Sequence, residues 1–308
     1  MSASADQDTV DERIAFDPDE LAAKFFGPSS PPLRIEVGAL SHAGKVRPNN
    51  EDHFSVVRRR RSREVLLTNL PEGVVPRSHH DDVYAMVVAD GIGGAAFGEF
   101  ASMLALQTSW DLTTQAFKWH FLVNENEAEE VKEMLKVYGQ LIHRKLQDEA
   151  AHDPRLTGMG TTITGALSIG SEAFIAHVGD SRAYLLHDGI LQQLTRDHTL
   201  AQKLVEAGAF PSVSAAPRRM QNMLVNCLGG SRSEVDVDVH QVQLADGDWL
   251  LLCTDGLTDM VDDAEIAQIL QLCADPQDAC QTLVAQALNH GGRDNVTIVL
   301  ARFGMACA

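Results

Sequence analysis

Hydrophobic and polar residues alternate with a period of two over several segments of the chain, and this pattern predicts β-strands. The first is LRIEVGALSH, where Leu33, Ile35 and Val37 alternate with other residues. From Thr161 onward the same period runs through three short segments, with a clear hairpin turn at Asp188-Gly189. This region is therefore predicted to form a meander of antiparallel strands. Further strands are predicted at 54–57, 83–89, 249–253 and in the closing NVTIVLARF.

Two long segments have apolar residues at helical spacing, 97–121 and 127–149, and are predicted to be helices that cover one sheet. A shorter helix is predicted over 199–208. Asp262 with Glu265 forms a capping box, and Asp275-Pro276 starts a helix that ends near Asn289. Strands in runs and helices in pairs favour an α+β fold over strict βαβ alternation.

The pattern also predicts the domain organisation. Residues 1–33 are polar and acidic and are expected to be a flexible tail, with one short helix over 19–26. Residues 34–304 contain no linker and are expected to be one domain, followed by a short tail at 305–308. Residues 58–82 are expected to be a basic insertion loop, and 210–228 a mobile flap with weak periodicity.

Composition narrows the class of protein. The formal net charge of −18 is expected to repel nucleic acid and anionic membranes, so neither is predicted as a partner. The five cysteines are odd in number and include no CxxC pair, which argues against a disulfide framework or a zinc ribbon. No apolar stretch is long enough for a membrane span, and the N-terminus lacks the features of a secretory signal. A cytoplasmic protein is expected.

Five short stretches each place a carboxylate at or beside the end of a predicted strand, usually with glycine or asparagine. A carboxylate ending an apolar strand is costly unless something neutralises it, and nearby glycines would let an ion or a phosphate approach. If these strand ends converge, they form an all-oxygen pocket suited to Mg²⁺ or Mn²⁺. The stretches are Arg47 to Asp52, Asp90 to Gly94, Gly179 to Arg182, Asp255 to Asp259 and Gly292 to Asn295.

In this order the stretches resemble the motifs of the metal-dependent protein phosphatases, the type 2C serine/threonine phosphatases of the PPM family. The motifs are R-x-N-N-E-D, D-G-x-G-G, G-D-S-R, T-D-G-L-T-D and R-D-N, and GMGTT at 158–162 also matches the bacterial branch. The resemblance covers about residues 35 to 303. It implies a central β-sandwich of two antiparallel sheets with helix pairs outside, in α-β-β-α layers.

The resemblance also implies roles for residues of the core metal site. Asp90 would bridge two cations, Mn²⁺ or Mg²⁺, and the Gly91 carbonyl would bind one of them. Glu51 would hold one ion of the pair, while Asp255 and Asp294 would hold the other. Two such cations about 4 Å apart lower the pKa of a bridging water, so that a hydroxide exists near neutral pH.

Other positions complete the implied site. Asp52 would orient metal-bound water, and Arg47 would grip the substrate phosphate through paired donors. Asp180, with Asp255 and Asp259, would form a third, weaker metal site. The position that is histidine in the eukaryotic branch is Ile92 here, so the proton donor to the leaving group is unassigned.

The sequence thus predicts a metal-dependent phosphatase that hydrolyses phosphoserine and phosphothreonine in proteins, with a serine/threonine kinase or its targets among the substrates. The main alternative is a catalytically inactive family member that serves as a phosphoprotein-binding regulatory module. A third reading is an enzyme tuned to one regulatory phosphoprotein in a signalling switch. The arginine run at 58–61 is most simply a solvated hairpin, although a docking patch for an acidic phosphoprotein stays open.

Overall fold

A computed structural model describes residues 33–93, 97–115 and 125–305 of the chain. Thirteen strands, β1 to β13, are Leu33–His42, His53–Glu64, Ser78–Ala89, Gly91–Ile92, Gly160–Thr161, Ile163–Ile169, Glu172–Val178, Arg182–His187, Ile190–Gln193, Leu228–Gly229, Asp238–Gln243, Trp249–Cys253 and Val296–Met305. Seven α-helices in the described ranges, α1 to α7, are Phe97–Gln115, Glu125–His152, Leu200–Glu206, Arg218–Gln221, Asp255–Thr258, Asp263–Leu272 and Pro276–Asn289.

Two five-stranded antiparallel sheets form the centre of the fold. Sheet I has the strand order β1-β13-β12-β8-β9, and sheet II has the order β11-β7-β6-β3-β2. A small three-stranded sheet, β10-β5-β4, lies beside them. Each sheet combines strands from distant parts of the chain, so segments far apart in sequence end at common edges.

The two sheets pack face to face, because each strand presents an apolar face inward. Met86 and Val88 of β3 share a buried cluster with Leu250 and Leu252 of β12 and with Phe303 of β13. The outer face of sheet I packs on α6 and α7. The outer face of sheet II packs on α1 and α2. The predicted α+β class and its α-β-β-α layers are confirmed.

Local signals in the sequence mark several element boundaries in the structure. The Asp262 side chain accepts a hydrogen bond from the Glu265 backbone N–H and starts α6. Asp275 caps α7 in the same way, with Pro276 at its first position. Thr199 caps α3 by accepting a hydrogen bond from the Gln202 N–H. These caps satisfy N–H groups that the first helical turn leaves without partners.

Residues 58–82 form paired strands over much of the basic insertion loop predicted there, and the hairpin that was the simplest interpretation of the arginine run is present. β2 continues through the arginine run to Glu64, β3 begins at Ser78, and the register pairs Arg60 with Asp82 and Arg61 with Asp81. Opposite charges face each other across the two strands and stabilise their pairing. The polar composition of the segment does not by itself predict this pairing. The segment is therefore a long β-hairpin whose connecting loop spans only 65–77.

Other predictions fall partly or wholly outside the described residues. The tail at 1–32 and its helix at 19–26, the last part of the helix predicted to residue 121, Gly94, and 306–308 belong to this group. In the predicted flap at 210–228, a single 3₁₀ turn and the short helix α4 are present. No helix of the described ranges is both long enough and apolar enough to cross a membrane.

Candidate active site

The strand topology brings the predicted carboxylates to one edge of the sandwich. Asp52 precedes β2 and Asp90 follows β3, and because these strands are antiparallel neighbours, both residues lie at the same end of sheet II. Asp255 follows β12 and Asp294 precedes β13, which are also antiparallel neighbours in sheet I. Asp180 follows β7, where the chain passes from sheet II to β8 of sheet I.

Backbone and amide hydrogen bonds tie these strand ends together. The Glu51 N–H donates to the Asn295 side-chain oxygen at 2.8 Å, and the Asn295 amide donates to the carbonyls of Ala43 and Asn49. Asn295 is buried, so it joins the loop before β2 to the loop before β13. The Asp90 carbonyl accepts from the Thr161 hydroxyl at 2.7 Å, which fixes the end of β3. The loops that carry the carboxylates are therefore held in defined positions.

Asp52 is buried between the two sheets. Its Oδ2 accepts a hydrogen bond from the Thr254 hydroxyl at 2.8 Å, while its Oδ1 is buried without any hydrogen-bond partner. Burial raises the pKa of Asp52 to about 6, against the lowering effect of the Thr254 hydrogen bond, and the charge of Asp294 adds to the rise. A buried carboxylate oxygen without a partner is costly, so this atom is suited to a cation or a water.

Asp90 and Asp255 stand at the centre of a set of mutually repelling charges. Burial raises the pKa of Asp90 well above its ordinary value, and the charges of Asp52, Asp255 and Asp180 raise it further. Burial likewise raises the pKa of Asp255, and Asp180 and Asp294 contribute to that rise. The Oδ1 atom of Asp255 is a second buried oxygen without a hydrogen-bond partner. These carboxylates are close enough to destabilise one another's ionised forms.

Asp180 belongs to the same electrostatic set but lies nearer the flap. Burial raises its pKa to about 7, and the charge of Asp197 is the next contribution. Asp259 also raises the pKa of Asp180, so the two carboxylates assigned to the third ion sense each other. Asp255 interacts with both of them.

Glu51 lies where two glycines leave room for its carboxylate. A Cβ atom built on Gly98 would overlap with Glu51 Oε2, and one built on Gly91 would overlap with the carbonyl oxygen of Gly98. Burial raises the pKa of Glu51, the nearby Arg47 lowers it, and Asp294 raises it. The missing side chains at Gly91 and Gly98 thus allow β4, α1 and the Glu51 carboxylate to approach closely.

Two arginines contact carboxylates at the rim of the site. Arg47 Nη2 lies 2.6 Å from Asp294 Oδ2, so the predicted phosphate-binding side chain is ion-paired with a predicted metal ligand. Arg218, on α4 of the flap segment, lies 2.9 Å from Asp259 Oδ2. Both arginines are more than half exposed, so these pairs are weak and can exchange their partners.

The residues present fit divalent cations in their chemistry. The donors are carboxylate and carbonyl oxygens, which hard cations prefer, and two of them are buried oxygens without partners. Within residues 33–93, 97–115 and 125–305, no group of three or more acidic, His or Cys side chains already stands in a ligating arrangement. Two of the predicted ligands, Asp294 and Asp259, are turned to arginines instead, so holding a cation requires that they exchange these partners.

Sequence reasoning missed three contributors to this site. Thr254 and Asn295 lie inside the motifs given above. Their buried hydrogen bonds position Asp52 and Glu51, respectively. The motifs alone do not distinguish these two positioning residues from the metal ligands. Arg218 lies in the weakly patterned flap, and only the folded chain brings it to Asp259. Ile92, at the position of the missing histidine, pairs with Gly160 in the small sheet.

Comparison with known proteins identifies the family. The family model described as Protein phosphatase 2C matches residues 76–290, which is more than half of the chain. The chain belongs to the protein phosphatase 2C family. Among curated relatives, this phosphatase is 32% identical over 260 residues to the serine/threonine phosphatase stp of Listeria monocytogenes, covering 83% of this chain and 91% of the relative. It is 33% identical over 276 residues to the protein phosphatase PhpP of Streptococcus pneumoniae, covering 86% and 96%.

Solved structures agree with this family assignment. A bacterial serine phosphatase superposes with a TM-score of 0.72 at 28% identity, covering 89% of this chain and all of the other. The catalytic domain of the serine/threonine phosphatase PstP, solved with two manganese ions, superposes with a TM-score of 0.67 at 30% identity, covering 88% and 99%. The chain is therefore a protein serine/threonine phosphatase of the PP2C family, a metal-dependent class.

Proposed function

We propose that this phosphatase hydrolyses phosphoserine and phosphothreonine in proteins with two core ions, Mn²⁺ or Mg²⁺, held by Glu51, Asp90, Gly91, Asp255 and Asp294. The observation that carries the proposal is the convergence of desolvated carboxylates, two of which have buried oxygens without hydrogen-bond partners. Cations would neutralise these charges and satisfy the Asp255 oxygen, and water held by the cations would donate a hydrogen bond to the Asp52 oxygen. A third, weaker ion would use Asp180, Asp255 and Asp259.

The bound cations would supply an activated water and offset part of the charge of the phosphate. The chain's own residues would do the rest. Asp52 would orient the attacking water, because its Oδ2 is held by Thr254 and its Oδ1 is available to a hydrogen-bond donor. Arg47, exposed at the rim, would bind the phosphate oxygens through its paired N–H groups and would release Asp294.

The substrates would be phosphorylated proteins, in keeping with the names of the relatives. We further propose that a serine/threonine kinase or its targets are among them. We place the enzyme in signalling and in the cytoplasm. Four cysteines in the described ranges, Cys227, Cys253, Cys273 and Cys280, are free thiols, which supports a reducing compartment.

Hydrolysis of a phosphothreonine peptide with added Mn²⁺ tests the proposal. We expect turnover that a chelator abolishes, and a loss of at least ~100-fold in Asp90→Ala and Asp255→Ala, because each removes a charged ligand. Asp111→Ala, an exposed carboxylate on α1, is the matched control and should keep full activity. Undiminished turnover in either ligand variant would contradict the assignment. Failure of the wild-type chain to turn over any phosphopeptide in saturating Mn²⁺ would favour an inactive binding module.

A further inference from the structure

His198 lies between β9 and α3, where separate parts of the chain meet. Its backbone N–H donates to the Gly179 carbonyl at 2.7 Å, and its carbonyl accepts from the Val225 N–H at 2.8 Å. Gly179 directly precedes Asp180, and Val225 belongs to the last part of the flap segment at 210–228. The backbone of His198 is therefore joined both to the turn that carries Asp180 and to the flap.

The imidazole ring of His198 makes a second set of contacts to the same segments. The Gly179 N–H donates to Nδ1 at 3.1 Å, and the Asn226 amide nitrogen lies 2.9 Å from the same atom. On the other side of the ring, Nε2 lies 3.1 Å from Asp238 Oδ2 at the start of β11. The His198 side chain is largely buried, so water cannot readily replace these partners.

The hydrogen-bond partners determine which ring nitrogen carries the proton. The Asn226 side-chain oxygen accepts from the Asp236 N–H, so the amide nitrogen is the atom turned to His198. This amide and the Gly179 N–H are two donors that face Nδ1, so Nδ1 accepts and carries no hydrogen. The proton is therefore on Nε2, which donates to the Asp238 carboxylate. The neutral ring holds three segments of the chain together.

Gly179 connects this network to the carboxylates of the candidate active site. Its φ of +115° favours glycine, and a Cβ atom there would overlap with the Thr162 side chain. The Thr162 hydroxyl accepts from the Asp90 N–H at 3.0 Å, and the Thr162 N–H donates to the Asp90 carbonyl at 2.9 Å. Gly179 thus lies between Thr162 and His198, so the position of the His198 ring helps to determine where Asp180 stands.

We propose that His198 is a positioning residue that places Asp180 and holds the flap against sheet II through its Nδ1 acceptor. The inference rests on the proposed function in one respect, because that function assigns Asp180 to the third, weaker ion. Loss of the acceptor would leave the Gly179 N–H and the Asn226 amide without this partner in a buried region. Both the turn before Asp180 and the flap would then be held less firmly.

Two amide substitutions separate the roles of the two ring nitrogens. In His198→Asn, the side-chain oxygen can take the place of Nδ1 as acceptor for Gly179 and Asn226. In His198→Gln, the amide group lies at the position of Nε2, so it can reach Asp238 but leaves no acceptor at the position of Nδ1. The two variants match in polarity and charge and differ in the contact that carries the proposal.

Limited proteolysis of the full chain with trypsin, in the presence of chelator, tests the flap contact. Trypsin cleaves after Arg218 and Arg219, which are exposed in the flap, and after Arg77, which is exposed at the far end of β3 from Asp90. We expect flap cleavage to be at least ~10-fold faster in His198→Gln than in wild type, because the flap opens more often. His198→Asn should be cleaved at close to the wild-type rate. Cleavage after Arg77 is the internal control and should be equal in all three proteins.

Calorimetric titration with Mn²⁺ tests the placement of Asp180. We expect the weakest ion to bind at least ~10-fold less tightly in His198→Gln than in His198→Asn, with equal affinity for the two core ions. The core ions and phosphopeptide turnover report on the proposed function, whereas the proteolysis needs no ion and so tests the flap contact separately.

Wild-type rates of flap cleavage in His198→Gln would overturn the inference. Equal acceleration in His198→Asn and His198→Gln would also overturn it, because the Nδ1 acceptor would then not be the decisive group. Asn226→Ala, which removes the flap's own donor to Nδ1, replaces His198→Gln if that variant does not fold. Flap cleavage of Asn226→Ala at the wild-type rate would count against the inference in the same way.

Discussion

Replacing Asp52 with asparagine is expected to change stability and activity in opposite directions. The metal-free phosphatase should become more stable, whereas its metal-dependent turnover should fall. The pKa of Asp52 is raised to about 6 by burial, against an unfolded value near 3.8. The folded state therefore favours the protonated carboxyl, so its stability is greatest below the unfolded pKa and is lost as pH rises through about 6. A pKa difference of about two units corresponds to about 3 kcal/mol of lost stability at pH 8. The asparagine side chain keeps an oxygen that can accept from Thr254 but carries no charge.

We expect Asp52→Asn to raise the free energy of unfolding of the chelator-treated protein by about 3 kcal/mol at pH 8. At pH 5 the gain should fall to about half, because the wild-type carboxyl is then largely protonated in the folded state. Metal-dependent turnover should fall by at least ~10-fold, since the residue proposed to orient water has lost its charge.

Urea unfolding at both pH values, followed by intrinsic fluorescence in the presence of chelator, measures the stability change. Asp111→Asn, on an exposed face of α1, makes the same substitution outside the site and serves as the control. A variant protein no more stable than wild type at pH 8 would refute the reasoning. A gain that does not shrink at pH 5 would refute it equally.

Further expected outcomes concern the groups around the site. Arg218→Ala should increase Mn²⁺ affinity at the weakest site in calorimetric titrations, because Asp259 loses its ion-pair partner. Arg219→Ala is the neighbouring control. Unchanged Mn²⁺ titrations in Arg218→Ala would argue that Arg218 does not compete with the cation for Asp259. Thr254→Val should destabilise the protein by ~1–3 kcal/mol in urea unfolding, because Asp52 Oδ2 loses its hydrogen-bond donor. An unaltered unfolding midpoint would argue against that contact. Burial lowers the pKa of His177 to about 4, so stability is complete above its unfolded pKa of 6.5 and should fall by about 3 kcal/mol as pH drops to 4. His177→Gln should remove that slope, whereas His240→Gln, an exposed histidine, should keep it.

Local sequence patterns were sufficient for most elements of this fold. Asp262 and Asp275 cap the helices where the pattern placed them, and β12 and β13 occupy the apolar segments predicted for them. Each of these features depends on residues that are close together along the chain, so it can be predicted without the tertiary structure. The arginine run of β2 is predicted as a solvated hairpin within a basic loop, but its length and register depend on cross-strand pairing with Asp81 and Asp82, which no local pattern reveals.

The candidate site was predictable in its residues but not in its present contacts. The five motifs named the carboxylates, and antiparallel pairing explains why their strand ends meet at one edge. The ion pairs Arg47–Asp294 and Arg218–Asp259 could not be read from spacing, because each joins segments that only the tertiary fold brings together. The same holds for the donor from Thr254 to Asp52.

Acidic side chains from distant segments gather at one edge of the sandwich, and we propose that they hold paired cations. Anomalous diffraction from crystals soaked in Mn²⁺ tests it most directly, because the manganese signal locates the ions independently of any activity. We expect two strong peaks between Glu51, Asp90, Asp255 and Asp294, with Arg47 displaced from Asp294, and a weaker peak near Asp180 and Asp259. Strong peaks remote from Asp90 and Asp255, or no ordered manganese at this edge, would contradict it.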